Sequence, residues 1–290
     1  MIFFLLALNQ NIDLDDLYNE ATTLLVQFQT EQESAFARLV ALGQDSVFAD
    51  TTIAFLVAHF DTKIARERHR MKDILKEIGE PAIDGIVDKI EYRGSDQELR
   101  SLKQSLWVLG EIGSDKIIEP VSHFIDDEDW QIRSNVYTAL GKTKSRKALS
   151  FILQGLIDPI EVVRKSAYYA LSAIATIDET DQLLNGLGDD HYGVRYAAMQ
   201  GLVNIGSGIS AVLLNKVGEH DMKDYYILSV LCQLEIPEQE LINLVKRVKP
   251  QARILIYEMC QDHAVLSILK EEENNVFLRN FLLEKMEKTK

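Results

Sequence analysis

The chain has 290 residues, of which 47% are apolar and 8% aromatic, and its 45 acidic against 31 basic side chains give a formal net charge of −14. This apolar fraction is typical of a packed protein and excludes disorder as the main state. Fifteen glycines and five prolines are few for a β-sandwich or barrel, which needs a turn every ~8 to 12 residues. The composition therefore favours helices, and the acidic balance argues against wrapping duplex DNA, which requires Lys and Arg to neutralise phosphates.

Residues 1–8, MIFFLLAL, form an unbroken apolar run that a polar stretch follows. Eight residues are too few for a transmembrane helix, which takes about 20, so no transmembrane segment is predicted. Two interpretations stay open: the end of a secretory signal peptide whose basic start is missing, or the buried first turn of a helix. The sequence leaves the location unknown. A cytoplasmic location is the default, and export follows from the signal-peptide interpretation alone.

One positive cluster stands out in this acidic chain, shortly after residue 60. It consists of Lys63, Arg66, Arg68, His69, Arg70 and Lys72. A local phosphate-binding patch is one interpretation. The interpretation we favour is a solvated helix face, because the net charge of −14 would repel a polyanion over the rest of the surface.

An internal repeat follows. Three segments, beginning at Asp126, Ile157 and Gly188, align without a gap at a spacing of 31 residues. An Asp column consists of Asp127, Asp158 and Asp189, and an Arg column consists of Arg133, Arg164 and Arg195. Small and Leu columns come next, and matched columns over two periods predict a repeat architecture.

Within one unit the pattern predicts two helices. The positions on one face of the first helix are Ile132, Val136, Ala139 and Leu140. The Asp column lies just ahead and is predicted to supply the N-cap, and a second apolar group in residues 149–156 predicts the second helix. Two short helices cannot bury their apolar stripes alone, so neighbouring units must stack.

The register extends in both directions with losses. Backward, Ile74–Gly79 aligns with Val108–Gly113 and places Arg68 in the Arg column. Forward, Tyr226 falls in the Arg column and Ser229 in the small column. The pattern then decays.

These columns resemble a known family. The resemblance is carried by Asp127 with Ile132-Arg133 and Ala139-Leu140-Gly141, by Asp158 with Val163-Arg164 and Ala170-Leu171, and by Asp189 with Val194-Arg195 and Leu202. This string is similar to the HEAT repeat, in the short bacterial variety called phycobilisome-lyase HEAT-like repeats. The resemblance implies an all-α, right-handed α-α superhelix (an α-solenoid, armadillo-like) in which the second helix of each pair lines the concave side.

The resemblance also sets the expected organisation. Residues 1–60 do not match it and are predicted to form about three helices that cap the array. Residues 61–235 are predicted to hold the HEAT-like repeats, and residues 236–290 to hold degenerate pairs and a capping helix.

Because every unit carries both charges, the Asp and Arg columns predict a structural ladder. Each Arg fork would bind the Asp of its own or the neighbouring unit through charge-assisted hydrogen bonds. Function is then expected from positions that vary between units, where aromatics concentrate. The candidate partner-binding residues are Trp130, Tyr192, Tyr168, Tyr196, His123 and Phe124. The alternative for the aromatics is that half of them fill gaps between repeats.

Catalytic signals are few. No two histidines are spaced i, i+4, and neither HExxH nor CxxC occurs, so no metal and no cofactor are predicted. Cys232 and Cys260 are predicted to be buried core thiols.

Two functions remain, and the first is favoured. It is a non-catalytic interaction scaffold that binds a protein or peptide on its surface or concave groove, and the excess of acid favours a basic partner. The alternative is an enzyme of the bilin chromophore lyase type, acting on phycobiliproteins, which rests on the resemblance alone. A HEAT-like nucleic-acid-binding protein ranks below both.

Overall fold

A computed structural model of the chain describes residues 12–22, 29–90, 99–218, 221–234 and 236–288. Over these residues the regular structure consists of α-helices and short 3₁₀ turns, so the predicted all-α class is correct. The chain forms two compact units, residues 1–151 and 152–290. The apolar run of residues 1–8 lies outside the described residues.

In the first unit, alternate helices pack against each other. The helices are α1 (Leu14–Thr22), α2 (Gln29–Gln44), α3 (Ala49–Ala58), α4 (Ala65–Ile78), α5 (Ala82–Ile90), α6 (Arg100–Ile112), α7 (Ile118–Ser122) and α8 (Trp130–Lys142). Helix α2 packs on α4, α4 on α6 and α6 on α8, while α3 packs on α5. The boundary between the units falls inside the short helix α9 (Leu149–Gly155).

The second unit repeats this arrangement. Its helices are α10 (Glu161–Ile174), α11 (Thr180–Gly186), α12 (Tyr192–Ile205), α13 (Ser210–Lys216), α14 (Asp221–Gln233), α15 (Glu238–Val245), α16 (Pro250–Met259), α17 (His263–Glu272) and α18 (Val276–Lys288). The first helices of successive pairs, α10, α12, α14, α16 and α18, each pack on the next, and α15 packs on α17. Helix pairs stacked in this way make the fold an α-solenoid, as predicted.

The 31-residue period sets the helix starts. Helices α8, α10 and α12 begin at Trp130, Glu161 and Tyr192. A 3₁₀ turn precedes the second helix of each pair, at Arg146–Ala148 and Ile177–Glu179. The two-helix unit predicted from the sequence is therefore correct.

The repeat columns form the core. Positions in the Ile/Val column and in the Leu column are fully buried in all three units. They are Ile132, Val163, Val194, Leu140, Leu171 and Leu202. The small column permits close approach: a Cβ on Gly201 would lie 2.6 Å from Cδ2 of Leu183 on the neighbouring helix.

Beyond α12 the spacing shortens. Helix α14 begins at Asp221, 29 residues after Tyr192 (221 − 192 = 29), and the buried positions of α14 follow those of α12 with the same shift. The prediction that Ser229 occupies the small column is therefore wrong. Ser229 is half-exposed and the neighbouring Val230 is buried.

Candidate functional site

The Asp column shapes the entry to each first helix. Side-chain Oδ1 of Asp127, Asp158 and Asp189 accepts a hydrogen bond from the backbone N–H two residues on, at 2.9, 2.8 and 2.8 Å. The residues that receive this bond are themselves the N-caps, so the predicted N-cap role of the Asp column is wrong. Each Asp instead closes a turn that delivers the chain to the cap.

The Arg column ties each helix back to that turn. Nη1 of Arg133, Arg164 and Arg195 donates to the backbone carbonyl of the Asp six residues earlier, at 2.7, 2.8 and 2.7 Å. A charged donor on a carbonyl of the loop fixes the angle at which the first helix leaves it.

Arg164 also joins two neighbouring helix pairs. Its Nε and Nη2 donate to Oδ2 and Oδ1 of Asp189 at 2.7 and 3.1 Å, and both side chains are largely buried. Burial raises the pKa of the Asp189 carboxyl, but hydrogen bonds from Arg164 and from the His191 N–H outweigh it and hold that pKa below its usual value. Arg195 differs, since its Nε donates to the hydroxyl of Tyr226 at 2.9 Å. A ladder running through the whole array stays a prediction.

The same turn occurs at the start of α4, where Thr62 replaces Asp. Its Oγ1 accepts from the Ile64 N–H at 3.3 Å, and its carbonyl accepts from Nη1 of Arg68 at 2.8 Å. The sequence placed Arg68 in the Arg column but missed Thr62. A side-chain oxygen six residues before an Arg is the signal that finds it.

A further copy lies at the start of α18, with Glu273 in the place of Asp. Its Oε1 accepts from the Asn275 N–H at 2.7 Å, and its carbonyl accepts from Nε of Arg279 at 2.9 Å. Arg253 on α16 donates to both Glu273 carboxylate oxygens at 3.2 and 3.1 Å, and the Tyr257 hydroxyl donates to the same group. Burial opposes ionisation of Glu273, yet these hydrogen bonds lower its pKa.

Exposed aromatic side chains lie on the first helices. Trp130 begins α8, and Tyr192 and Tyr196 lie one turn apart on α12, with Tyr192 62% exposed. The two tyrosine rings stack with centroids 6.1 Å apart and planes inclined by 30°. Tyr169 on α10 is also exposed, and burial together with the nearby Tyr196 and Tyr192 raises its pKa. Tyr169, Tyr192 and Tyr196 are called the tyrosine patch below.

Two candidate partner-binding residues are buried. Tyr168 is 5% exposed and Phe124 is 8% exposed, so neither offers a contact surface, and their assignment is corrected. The Tyr168 ring fills the space beside Gly186, where an added Cβ would lie 2.3 Å from Cε1. This is the gap-filling role that the sequence left open. His123 is exposed, with Nε2 3.8 Å from Oε1 of Glu119.

The basic cluster is partly used inside the first unit. Nη2 of Arg70 donates to Glu33 at 2.8 Å, and Nζ of Lys72 lies 4.2 Å from the centroid of the Trp107 ring. Arg68 holds the turn described above. Lys63, Arg66 and His69 are exposed. These contacts favour the helix-face interpretation of the cluster.

The described residues offer little reactive chemistry. Within them, no group of three or more His, Cys, Asp or Glu is placed to hold a metal ion. Cys260 is buried, whereas Cys232 is exposed, so the buried-thiol prediction is wrong for Cys232. Local burial still raises the pKa of the Cys232 thiol to about 11, which keeps it protonated near neutral pH.

Among the described helices, none is by itself long and apolar enough to cross a membrane. Helix α12 and the following segment Ser207–Lys216 pass that test together, by length and composition only, and the two are bent by 100°.

Comparisons with known proteins agree with this repeat geometry. The family described as HEAT repeats matches residues 87–172. No protein of curated function matches the sequence.

Solved structures show the same fold at low sequence identity. A chain of the Kap95:Nup1 complex is 13% identical with a TM-score of 0.51, covering 89% of this chain and 41% of its own length. A chain of the complex between Kap95p and RanGDP is 12% identical with a TM-score of 0.53, covering 94% of this chain and 44% of its own length. This chain thus spans less than half of either.

A third similar structure is the complex of CpcE and CpcF of phycocyanin lyase from Nostoc sp. PCC7120. It is 14% identical with a TM-score of 0.43, covering 81% of this chain and 93% of its own length. The bilin-lyase alternative stays a prediction.

Proposed function

We propose that this HEAT-repeat protein is a non-catalytic scaffold that binds a protein or peptide partner through aromatic side chains on its first helices. The binding surface is the tyrosine patch on α10 and α12, and Trp130 occupies the same repeat position as Tyr192. The observation that carries the proposal is the exposure of three neighbouring tyrosines at positions that vary between units. Large amphipathic rings supply much of the binding energy at protein interfaces.

The partner is expected to be basic. The chain carries a net charge of −14, which speeds encounter with a positively charged partner and repels an acidic one. Exposed tyrosine rings also bind Lys and Arg through cation–π contacts. The protein uses this contact internally, since Arg195 lies 5.6 Å from the centroid of the Tyr226 ring.

The fold suits such a role. The Kap95 structures that share it are complexes with the proteins Nup1 and RanGDP. In stacked repeats the exposed positions of successive first helices form a continuous surface, and those positions vary without disturbing the core.

The test begins with affinity capture from the native host, after which each captured protein is purified and titrated by calorimetry. Tyr192→Ala and Trp130→Ala are each expected to weaken binding by about tenfold or more, as for interface hot spots. Ile177→Ala, which alters an exposed side chain away from the patch, is the matched control and is expected to leave the affinity unchanged. If neither aromatic substitution changes the affinity for any partner, the proposal is wrong.

A further inference from the structure

Helix α18 presents apolar side chains to solvent. Phe277 is 72% exposed and Leu283 is 43% exposed, and Val276 is exposed beside them. On the opposite face of the helix, Leu278 and Leu282 are buried. Isolated exposed apolar residues are common, but three on one short helix form a face that asks for a cover.

The turn before α18 identifies it as a first helix. Glu273 and Arg279 form the same turn as Asp158 and Arg164 at the start of α10. Arg253 of α16 binds the Glu273 carboxylate as Arg164 of α10 binds Asp189. Helix α18 is therefore placed on α16 as α12 is placed on α10.

Aligning the two helices on their arginines shows which positions differ. Leu278 matches Val163 and Leu282 matches Ala167, all four buried. Leu283 matches Tyr168, which is buried in α10 because α11 covers it through Gly186. In the part of the chain that the structure describes, which ends at residue 288, nothing after α18 takes the place of α11. The position of Leu283 is thus one that the repeat normally covers.

We propose that a second copy of this chain covers this face, with α18 of one copy packed antiparallel on α18 of the other about a two-fold axis. Such an isologous contact uses one patch twice. Val276 and Phe277 lie near the start of the helix and Leu283 lies two turns on, about 10 Å along the axis at 1.5 Å per residue. The antiparallel arrangement places the start of each helix beside Leu283 of the other, and both contacts form together.

Charge favours this occupant and orientation. The residues directly before α18 are acidic, Glu271 to Glu273, and its last turn is basic, with Lys288 exposed. In an antiparallel pair the acidic approach of one helix lies beside the basic end of the other, at both ends of the contact. A parallel pair would place like charges together, which is unfavourable.

Sedimentation equilibrium over a wide concentration range tests the dimer. The full chain is expected to approach twice its mass of 32.9 kDa at the highest concentrations. Phe277→Asp and Leu283→Asp are each expected to weaken the dimer at least about tenfold, because each buries a charge in the contact. Since both side chains are exposed in the single chain, circular dichroism and the melting temperature of dilute protein should be unchanged. Ile157→Asp, at another exposed apolar residue of the same unit, is the control and should dimerise as the unsubstituted chain does.

A charge exchange tests the orientation. Lys288→Glu and Glu271→Lys should each weaken the dimer, and the double variant should recover most of the loss. A chain that stays monomeric at every concentration overturns the proposal, as does a dimer that Phe277→Asp leaves intact. Failure of the double variant to recover the dimer overturns the antiparallel arrangement.

Discussion

Arg164 shows how one residue can serve both the local fold and the stacking of repeats. Its Nη1 holds the carbonyl of Asp158 at 2.8 Å, and its Nε and Nη2 hold the Asp189 carboxylate. Only a planar guanidinium offers donors in these two directions at once. The ammonium of a lysine would keep the charge and lose the fork.

Arg164→Ala is expected to destabilise the fold by roughly 2–3 kcal/mol, since it removes hydrogen bonds between charged groups and leaves Asp189 largely buried without its partner. Urea denaturation measures this loss, with Lys165→Ala on the same helix as the control. Affinity for any partner should persist in the folded fraction. Selective loss of binding with an unchanged melting temperature would contradict the structural ladder.

The effect should depend on pH. The pKa of Asp189 is lower in the folded protein than its usual value, so its stabilising contribution is present above the unfolded pKa of about 3.9 and is lost as pH falls through the folded pKa. The difference between the original chain and Arg164→Ala should therefore shrink below about pH 4. A difference that is constant from pH 7 to pH 3 would show that the ion pair adds nothing.

At the scale of the element, helix packing depends on small residues at the crossing points. Gly110 on α6 faces α8 so closely that an added Cβ would lie 2.9 Å from Cα of Ala139. The obstacle is backbone, so it cannot rotate away as a side chain can. Interiors packed at crystal-like density transmit such a clash to the whole contact.

Gly110→Ala is expected to destabilise the protein by roughly 1–3 kcal/mol, because the overpacking outweighs the gain of up to about 1 kcal/mol in helix propensity. Gly208→Ala is the matched control: nothing lies within 4 Å of an added Cβ there, and its effect should stay within about 0.5 kcal/mol. Thermal unfolding of both variants makes the comparison. Equal melting temperatures would mean that α6 and α8 shift apart at little cost.

At the scale of the whole molecule, charge decides which partners can approach. The net charge of −14 contains one basic cluster, and within that cluster Arg68, Arg70 and Lys72 already contact Thr62, Glu33 and Trp107. Few of its cations are left to neutralise phosphates, whose number sets the affinity for nucleic acid.

The protein is therefore expected not to retain duplex DNA in a mobility assay at low salt. Specific retention that Lys63→Glu and Arg66→Glu abolish would contradict this expectation and make the basic cluster a nucleic-acid site. Retention that both substitutions leave unchanged would contradict it too and place the contact elsewhere.

The sequence by itself determined the helical class, the 31-residue period and the core columns, because each of these follows from the local spacing of apolar and small residues. It also placed Arg68 in the Arg column. The tertiary structure alone decided which aromatics are exposed: Tyr168 and Tyr169 are adjacent in sequence, yet Gly186 on α11 leaves room for one ring while the other lies in solvent. It alone revealed that Thr62 and Glu273 replace Asp, because a hydrogen bond needs an oxygen in the right place and not a particular residue type. Burial and partner choice depend on helices far apart in the chain, which no local pattern records.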